Sequence, residues 1–346
     1  MIKSIKNLKI KKGARVLVRC DFNVPLSKNG KILSDFRIRQ TIPTIEYLVK
    51  KRAKLILMSH LGQPINQELK YTLKPVAKRL EELLKKRVRF LDDCLGEKVE
   101  KEIEKLKLGE IILLENLRFY KEEEKNNKNF AKKLAKLADI YINDAFSVCH
   151  RAHASIVGVS KYLPFGAGFL LEKEIKILTQ LMKNPQKPLV VIIGGKKVET
   201  KIKVINKFCK IADYILIGGL IKKEIKEKNI QFKYPEKIVA PITEKVAKDL
   251  DSQTIDIFRK KIISAKTIFW NGPLGLVEEK KHTKGSKEII KAIIKSRAFS
   301  VVGGGETVEF INQLGLIKKF NYVSTGGSAM LEFLSGDKLP GIEALK

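Results

Sequence analysis

A chain of 346 residues with 44% hydrophobic content is long for a single core and ample for two. Lys and Arg number 69 against 38 Asp and Glu, a formal net charge of +31 that recurs on polar faces such as KKLAKLAD and KEIIKAIIK instead of gathering in one tail. That spread favours a lysine-loaded, solvated surface over a nucleic-acid site. The four cysteines are too widely separated for a zinc or dithiol motif, and no stretch approaches the ~20 apolar residues of a membrane span.

The N-terminal stretch MIKSIKNLKIKKG is basic without a continuous apolar region, so an unexported, cytoplasmic chain with buried thiols is expected. The apolar run at 15–19 closes into RCDFNVP (19–25), SDFRIR follows at 34–39, and the run at 54–58 closes into SHLGQP (59–64). Each cluster is expected at a strand end opening into a loop, with Arg37 and Arg39 on one side of an extended segment and Phe36 and Ile38 on the other. Cations at strand ends suggest an anion site. His60 fits a general base, but a hydrogen-bonded structural histidine or a simple ligand contact fits a lone histidine after a buried strand better. A helix is expected from Thr72 as N-cap through Pro75, with Val76, Leu80, Leu83 and Leu84 at i, i+4, i+7 and i+8. The runs at 110–114 and 138–142 lead into ENLRFY, with Arg118, and DAFSVCHRAHAS, with His150, Arg151 and His153.

The segment Glu172–Asn184 has a helical pattern that stops at Pro185, and it separates this arginine set from a second, glycine-rich set. Runs at 189–193, 213–217, 266–270 and 298–302 carry GGKK (194–197) and GGGET (303–307), and STGGS follows at 324–328. Glycine lets the backbone approach a ligand and present its N–H groups to phosphate oxygens. GGKKVETKI is expected to turn from strand into helix, where a helix N-terminus favours phosphate. Lys197 and Lys201 share a face at i, i+4 if both are helical, although alone they fit a solvated face better than a catalytic role. Neither G-x-x-x-x-G-K-[ST] nor G-x-G-x-x-G occurs. In GGGET, Glu306 puts a carboxylate beside glycines, a combination suited to phosphate and Mg2+, and three consecutive glycines are costly for an ordinary turn. The apolar runs are short, rich in Ile, Val and Leu, and alternate with helical patterns, which predicts an α/β protein with parallel sheets. Residues 336–346 show little periodicity and are expected to form a tail lying across another surface.

Taken together, RCDFNVP, SDFRIR with PTI, SHLGQP, LLENLRFY, INDAF with HRAHAS, GAGFLLEKE, IIGGKKVETKI, WNGPLGLVE, GGGET and STGGSA closely resemble phosphoglycerate kinases over nearly the whole chain. The resemblance implies two Rossmann-like lobes with parallel sheets: an N-terminal 3-phosphoglycerate-binding lobe (1–171), an interdomain helix (172–185), a nucleotide-binding lobe (186–330) and a tail (331–346) returning to the first lobe. It implies reversible phosphoryl transfer between 1,3-bisphosphoglycerate and ADP, giving 3-phosphoglycerate and ATP, by a monomer that closes about a hinge. Asp21, Phe22, Asn23, Arg37, His60, Leu61, Gly62, Gln63, Arg118 and Arg151 would bind the glycerate substrate. Lys197, Lys201, Gly218, Gly219, Glu278, Gly304, Gly305, Glu306 and Thr307 would bind nucleotide, with Glu306 near Mg2+. Arg37, Lys197, Lys201, Gly304 and Gly327 would serve the transfer itself.

Several residues depart from the family pattern. Gln63 stands where the family has an arginine that grips the glycerate phosphate, which implies weaker binding. Ser147 and Ser328 replace glycines, Glu306 replaces an aspartate, and a third glycine is lost at Leu220. Asp251, Ser252, Gln253 and Thr254 occupy the region of a missing turn, which leaves nucleotide preference open. The two alternative readings are a relative with altered nucleotide or acid specificity, and a basic nucleic-acid-binding protein on a retained kinase scaffold. Retention of Arg37, Lys197, Lys201 and Glu306 together argues for catalysis.

Overall fold

The structure is a computed structural model that describes residues 2–195, 198–243 and 248–346. It packs into two compact units, one running to Ile175 and including Lys338–Lys346, the other Lys176–Asp337. The unit boundary falls inside the helix Phe169–Lys183, which begins three residues before the expected segment and stops before Pro185. The helix Ser328–Ser335 belongs to the second unit, so the residues that return to the first unit begin at Lys338, not at 331. There the Gly341 N–H donates to the Cys149 carbonyl at 2.8 Å.

The first unit holds β1 (Arg15–Arg19), β2 (Lys54–Met58), β3 (Val88–Phe90), β4 (Ile111–Leu113), β5 (Ile140–Asn143) and β6 (Phe165–Ala167), in the order β3-β4-β2-β1-β5-β6. The second holds β7 (Leu189–Ile193), β8 (Tyr214–Ile217), β9 (Ile238–Val239), β10 (Thr267–Asn271), β11 (Phe299–Gly303) and β12 (Tyr322–Val323), in the order β12-β11-β10-β7-β8-β9. All paired strands are parallel. Val16–Val18, Leu55–Met58 and Leu189–Ile193 are fully buried, because helices cover both faces of each sheet.

The apolar runs expected from sequence are β1, β2, β4, β5, β7, β8, β10 and β11, the interior strands of both sheets. The unanticipated strands, β3, β6, β9 and β12, are the four edges. An edge strand pairs on one side only and is two or three residues long here, too short to stand out by pattern.

Two local expectations are corrected. SDFRIR is not extended: the helix Phe36–Lys50 begins at Phe36, so Arg37 and Arg39 point different ways, and Arg39 instead pairs with Asp35 at 2.9 Å. Thr72 is not the N-cap of the helix Lys74–Leu84; Leu73 holds that position. The Thr72 hydroxyl lies one residue earlier, donating to Glu115 Oε2 at 2.6 Å and accepting the Lys74 N–H at 3.3 Å.

Register decides which loops meet. Arg19 is level with Met58 and Asn143, and Leu57 with Leu113, so the loops after β1, β2, β4 and β5 leave the sheet side by side. Asn271 is likewise level with Ile193 and Gly303, and Ile193 with Ile217. Chain direction across the sheet reverses between β1 and β5, and between β7 and β10. Such switch points open a crevice at the carboxyl ends of the strands, where ligands of open α/β sheets bind.

Candidate active site

At the first switch point, the loop after β1 meets the loop after β5. Asp21 is fully buried, and its Oδ2 accepts from Arg37 Nη1 and from the Ser147 hydroxyl at 2.6 Å. Its Oδ1 accepts the Asn23 N–H at 3.3 Å. The Asn23 side chain accepts the Gly62 N–H at 2.9 Å, and Arg118 Nη1 donates to the Gly62 carbonyl at 2.7 Å, so the turn after β2 is gripped from both sides. Asn116 pins the same turn by bonding both backbone groups of Leu61.

The structure thus brings together Asp21, Asn23, Arg37, Leu61, Gly62 and Arg118 in one bonded set. Gln63 and Arg151 are exposed, with no polar side-chain partner among the described residues. Phe22 and Leu61 are packed in the core, and Phe22 gives its N–H to Ser59 Oγ and its carbonyl to Val24. Both therefore shape the loops and offer a ligand no side chain.

Behind this surface lies a buried charged group that the motif reading did not single out. Arg19 donates from Nε to Ser155 Oγ (2.8 Å) and from Nη1 to the Cys20 carbonyl (2.5 Å), and its Nη2 lies 3.2 Å from His60 Nδ1. Its Nη2 is 4.0 Å from Glu123 Oε1, and Glu123 in turn accepts the Ser155 N–H and hydroxyl at 2.9 and 2.5 Å. Burial, reinforced by neighbouring arginines, pushes His60 well below the usual histidine range, His150 down to about 4 and His153 down to about 3. All three rings are neutral at pH 7, and the fixed positive charge belongs to guanidinium groups. Burial also lowers Arg118.

Asp144, beside the same switch point, caps the helix Phe169–Lys183 through the Leu170 and Leu171 N–H groups at 2.9 and 3.2 Å. Burial raises the carboxyl to about 7, against the opposing pull of the Thr44 hydroxyl and the Leu170 and Leu171 N–H groups.

The second switch point is made of backbone. Gly272 has φ +87°, and a Cβ there would stand 2.0 Å from the Gly194 carbonyl oxygen. Only glycine allows the β7 and β10 loops to approach so closely. Lys201, in the helix Val198–Cys209, is buried with its Nζ donating to that same Gly194 carbonyl. Lys197 lies outside the described residues.

Gly304, at φ +100°, caps the helix Gly305–Gln313, and a Cβ there would meet Asn271 Nδ2 at 2.7 Å. The first turn of that helix offers backbone N–H groups together with the exposed Glu306 carboxylate. Thr307 is buried, and its hydroxyl accepts the Gly272 N–H at 2.8 Å, so its side chain joins two loops and does not face solvent. Gly327, at φ +52°, caps the helix Ser328–Ser335.

A cleft of about 250 Å³ borders this backbone, lined by Gly195, Gly218, Leu220, Leu276, Glu278 and Glu306 among others. Gly219 and Lys248 also line it; Lys248, which no motif signalled, is tied to Glu279 at 2.9 Å. Gly304, Gly305, Thr307 and Gly327 are outside its lining. Asp251, in the segment where the family turn is missing, N-caps the helix Ser252–Ser264 through the Thr254 N–H at 2.8 Å. Among the described residues, no group of three or more His, Cys, Asp or Glu could hold a metal ion, so a divalent cation at Glu306 would need phosphate oxygens or water to complete its shell.

Parallel sheets whose switch points carry guanidinium groups in one unit and bare backbone with a buried lysine in the other mark an α/β phosphotransferase of two units. Comparison with known proteins narrows that class. A family model described as Phosphoglycerate kinase matches residues 5–233 and 220–337. The phosphoglycerate kinase of Dictyoglomus turgidum is 46% identical, with 97% of this chain and 96% of the relative covered. That of Borrelia garinii subsp. bavariensis is 43% identical over 100% of this chain and 99% of its own. Among solved structures, phosphoglycerate kinase from Pyrococcus horikoshii superposes with a TM-score of 0.88 at 31% identity, covering 99% of this chain and 98% of that one. The enzyme from Coxiella burnetii gives 0.83 at 33% identity, with 100% and 99% covered. The chain belongs to the phosphoglycerate kinase family.

Proposed function

We propose that the chain transfers a phosphoryl group reversibly between the acyl phosphate of 1,3-bisphosphoglycerate and the β-phosphate of ADP, a glycolytic step, with the glycerate ligand on the first unit and the nucleotide on the second. The observation that carries the assignment of ligands is the contrast between the switch points. Guanidinium groups stand around one, and the other is glycine backbone with Lys201 and a helix N-terminus.

In the direction of ATP synthesis, a β-phosphate oxygen of ADP attacks the acyl phosphorus, the bond from phosphorus to the carboxyl oxygen breaks, and the carboxylate leaves. The attacking oxygen is already ionised at neutral pH and the carboxylate leaves as a stable anion, so neither a general base nor a general acid is needed, which agrees with neutral His60, His150 and His153. Catalysis is alignment and charge neutralisation. Arg37, oriented by buried Asp21, would meet the transferring group, and Arg118 and Arg151 would hold the glycerate phosphate with Asn23 and His60. Lys201, released from the Gly194 carbonyl, would meet nucleotide phosphates, and the N–H groups of Gly305–Thr307 would bind the phosphate end. Glu278 would contact the ribose. Glu306 would hold Mg2+ that arrives with the nucleotide and neutralises its phosphates. Closure of the units would expel water before transfer.

We further propose a cytoplasmic monomer, and light scattering tests its mass. Among the described residues no helix is long and apolar enough to cross a membrane. A coupled assay with 3-phosphoglycerate and MgATP, repeated with MgGTP, tests the reaction. No turnover with either nucleotide, alongside tight salt-sensitive nucleic-acid binding, would overturn it.

A further inference from the structure

His60 stands at the cationic switch point with one ring nitrogen committed and the other free. Its Nδ1 is 3.2 Å from Arg19 Nη2, and its Nε2 has no hydrogen-bond partner among the described residues. A guanidinium has donors and no acceptor, so this contact is a hydrogen bond only when Nδ1 offers a lone pair. The ring proton is then on Nε2. Protonating Nδ1 would turn the bond into two N–H groups facing each other between two cations.

Arg19 cannot swing away to relieve such a clash. Its guanidinium is fully buried and also bonded to Ser155 Oγ and the Cys20 carbonyl, with Glu123 behind it at 4.0 Å. Burial raises the Glu123 carboxyl while Arg19 and Ser155 act to lower it, and the Arg19 guanidinium, buried and turned to Ser155, Cys20 and His60, does not face a ligand anion. The other charged groups that act most strongly on His60 work in the same direction as Arg19: Arg118 from the loop after β4 and Arg37 from the helix Phe36–Lys50; the neighbouring His153 ring, from the segment after β5, has its Nδ1 3.8 Å from Glu123.

We propose that Arg19 is a positioning residue that holds the His60 ring neutral with its proton on Nε2, so that His60 meets the phosphoglycerate as an uncharged hydrogen-bond donor. Arg37, Arg118 and Arg151 then carry all of the charge that neutralises the ligand. The ligand role rests on the reading above, whereas the tautomer does not. Because the ring stays neutral, its contribution to affinity is the same at pH 5.5 and pH 8. A phosphate-binding imidazolium would lose its grip as pH rose through the ordinary histidine range.

Long-range proton–nitrogen spectra of the 15N-histidine-labelled full chain, which has four histidines, decide the tautomer without any turnover. His60, assigned by its loss in His60→Gln, is expected to show a bare Nδ1 and a protonated Nε2 unchanged from pH 5.5 to 8. A proton on Nδ1, or titration near pH 6.5, overturns the proposal. In the kinetic arm, Arg19→Met is paired with Glu123→Gln so that no buried charge is stranded. KM for 3-phosphoglycerate is expected to rise roughly threefold to tenfold with kcat within about twofold, the loss of one well-oriented hydrogen bond. His60→Gln, which keeps an N–H near Nε2, is expected to bind the substrate more tightly than His60→Leu. A folded double variant with unchanged KM would overturn the positioning role; if it does not fold, the wild-type spectrum still decides. Absence of turnover in the wild type would instead remove the phosphoglycerate reading and leave the tautomer standing.

Discussion

Ser147→Ala removes a hydroxyl that has no room to be idle. Ser147 Oγ donates at 2.6 Å to Oδ2 of Asp21, a side chain with 0% exposure, and the same oxygen accepts from Arg37. A hydrogen bond to a charged group contributes about 1.5–3 kcal/mol when lost outright. Here Arg37 and the Asn23 N–H still satisfy the carboxylate, so the expected loss is nearer ~1–2 kcal/mol. For a unit of this size that lowers the melting temperature by roughly 2–8 °C. The kinetic effect has a direction too. With one anchor gone, Asp21 orients Arg37 less tightly, and KM for 3-phosphoglycerate is expected to rise about threefold, less than the full value of one hydrogen bond. Differential scanning calorimetry and initial rates on the same preparation test both effects. If the variant melts within about 1 °C of wild type and keeps its KM, the hydroxyl supports neither Asp21 nor Arg37, and the reasoning is refuted.

Three further perturbations follow from other parts of the structure. Gln63→Arg places a cation next to a turn already held by Asn23 and Arg118; because the position is exposed, KM for 3-phosphoglycerate should fall about threefold to tenfold, and an unchanged value would show that residue 63 does not reach the phosphate. Gly272→Ala puts a Cβ 2.0 Å from the Gly194 carbonyl at φ +87°, so chemical denaturation should show a loss of at least ~2 kcal/mol, and near-native stability would mean that the β7 and β10 loops part easily. Asp144 has its carboxyl raised from 3.8 to about 7, so the folded state holds a proton that the unfolded chain releases earlier. Its contribution is present below pH 3.8 and is lost as pH rises towards 7. Asp144→Asn keeps an oxygen acceptor for Leu170 and Leu171, and should flatten this decline and raise stability at pH 8 by on the order of 2–4 kcal/mol; an unaltered stability–pH curve counts against a protonated Asp144.

The eight interior strands, the division of cationic and glycine-rich loops between two sheets, and the turns at Gly195 and Gly304 were all legible in the linear chain. Each depends on a local necessity: a strand covered on both faces must be apolar throughout, and a backbone at positive φ in close contact must be glycine. The edge strands carry no such constraint, and neither does the direction of Arg37. In SDFRIR the alternation of charge and apolarity fits a strand as well as the first turn of a helix, and only packing placed that turn over Asp21.

The residue types that make an anion cradle and a phosphate turn were therefore set by sequence alone. Tertiary structure decided what those residues are chemically. Arg19 and Arg37 look alike in the chain, yet one is sealed against Glu123 and His60 while the other reaches the surface. His60 is neutral because burial and Arg19 make it so, and Ser147 works on Asp21 because β1 and β5 are neighbours across 126 positions of chain. Charge state and partnership depend on distance and desolvation, which arise only when remote segments are brought together.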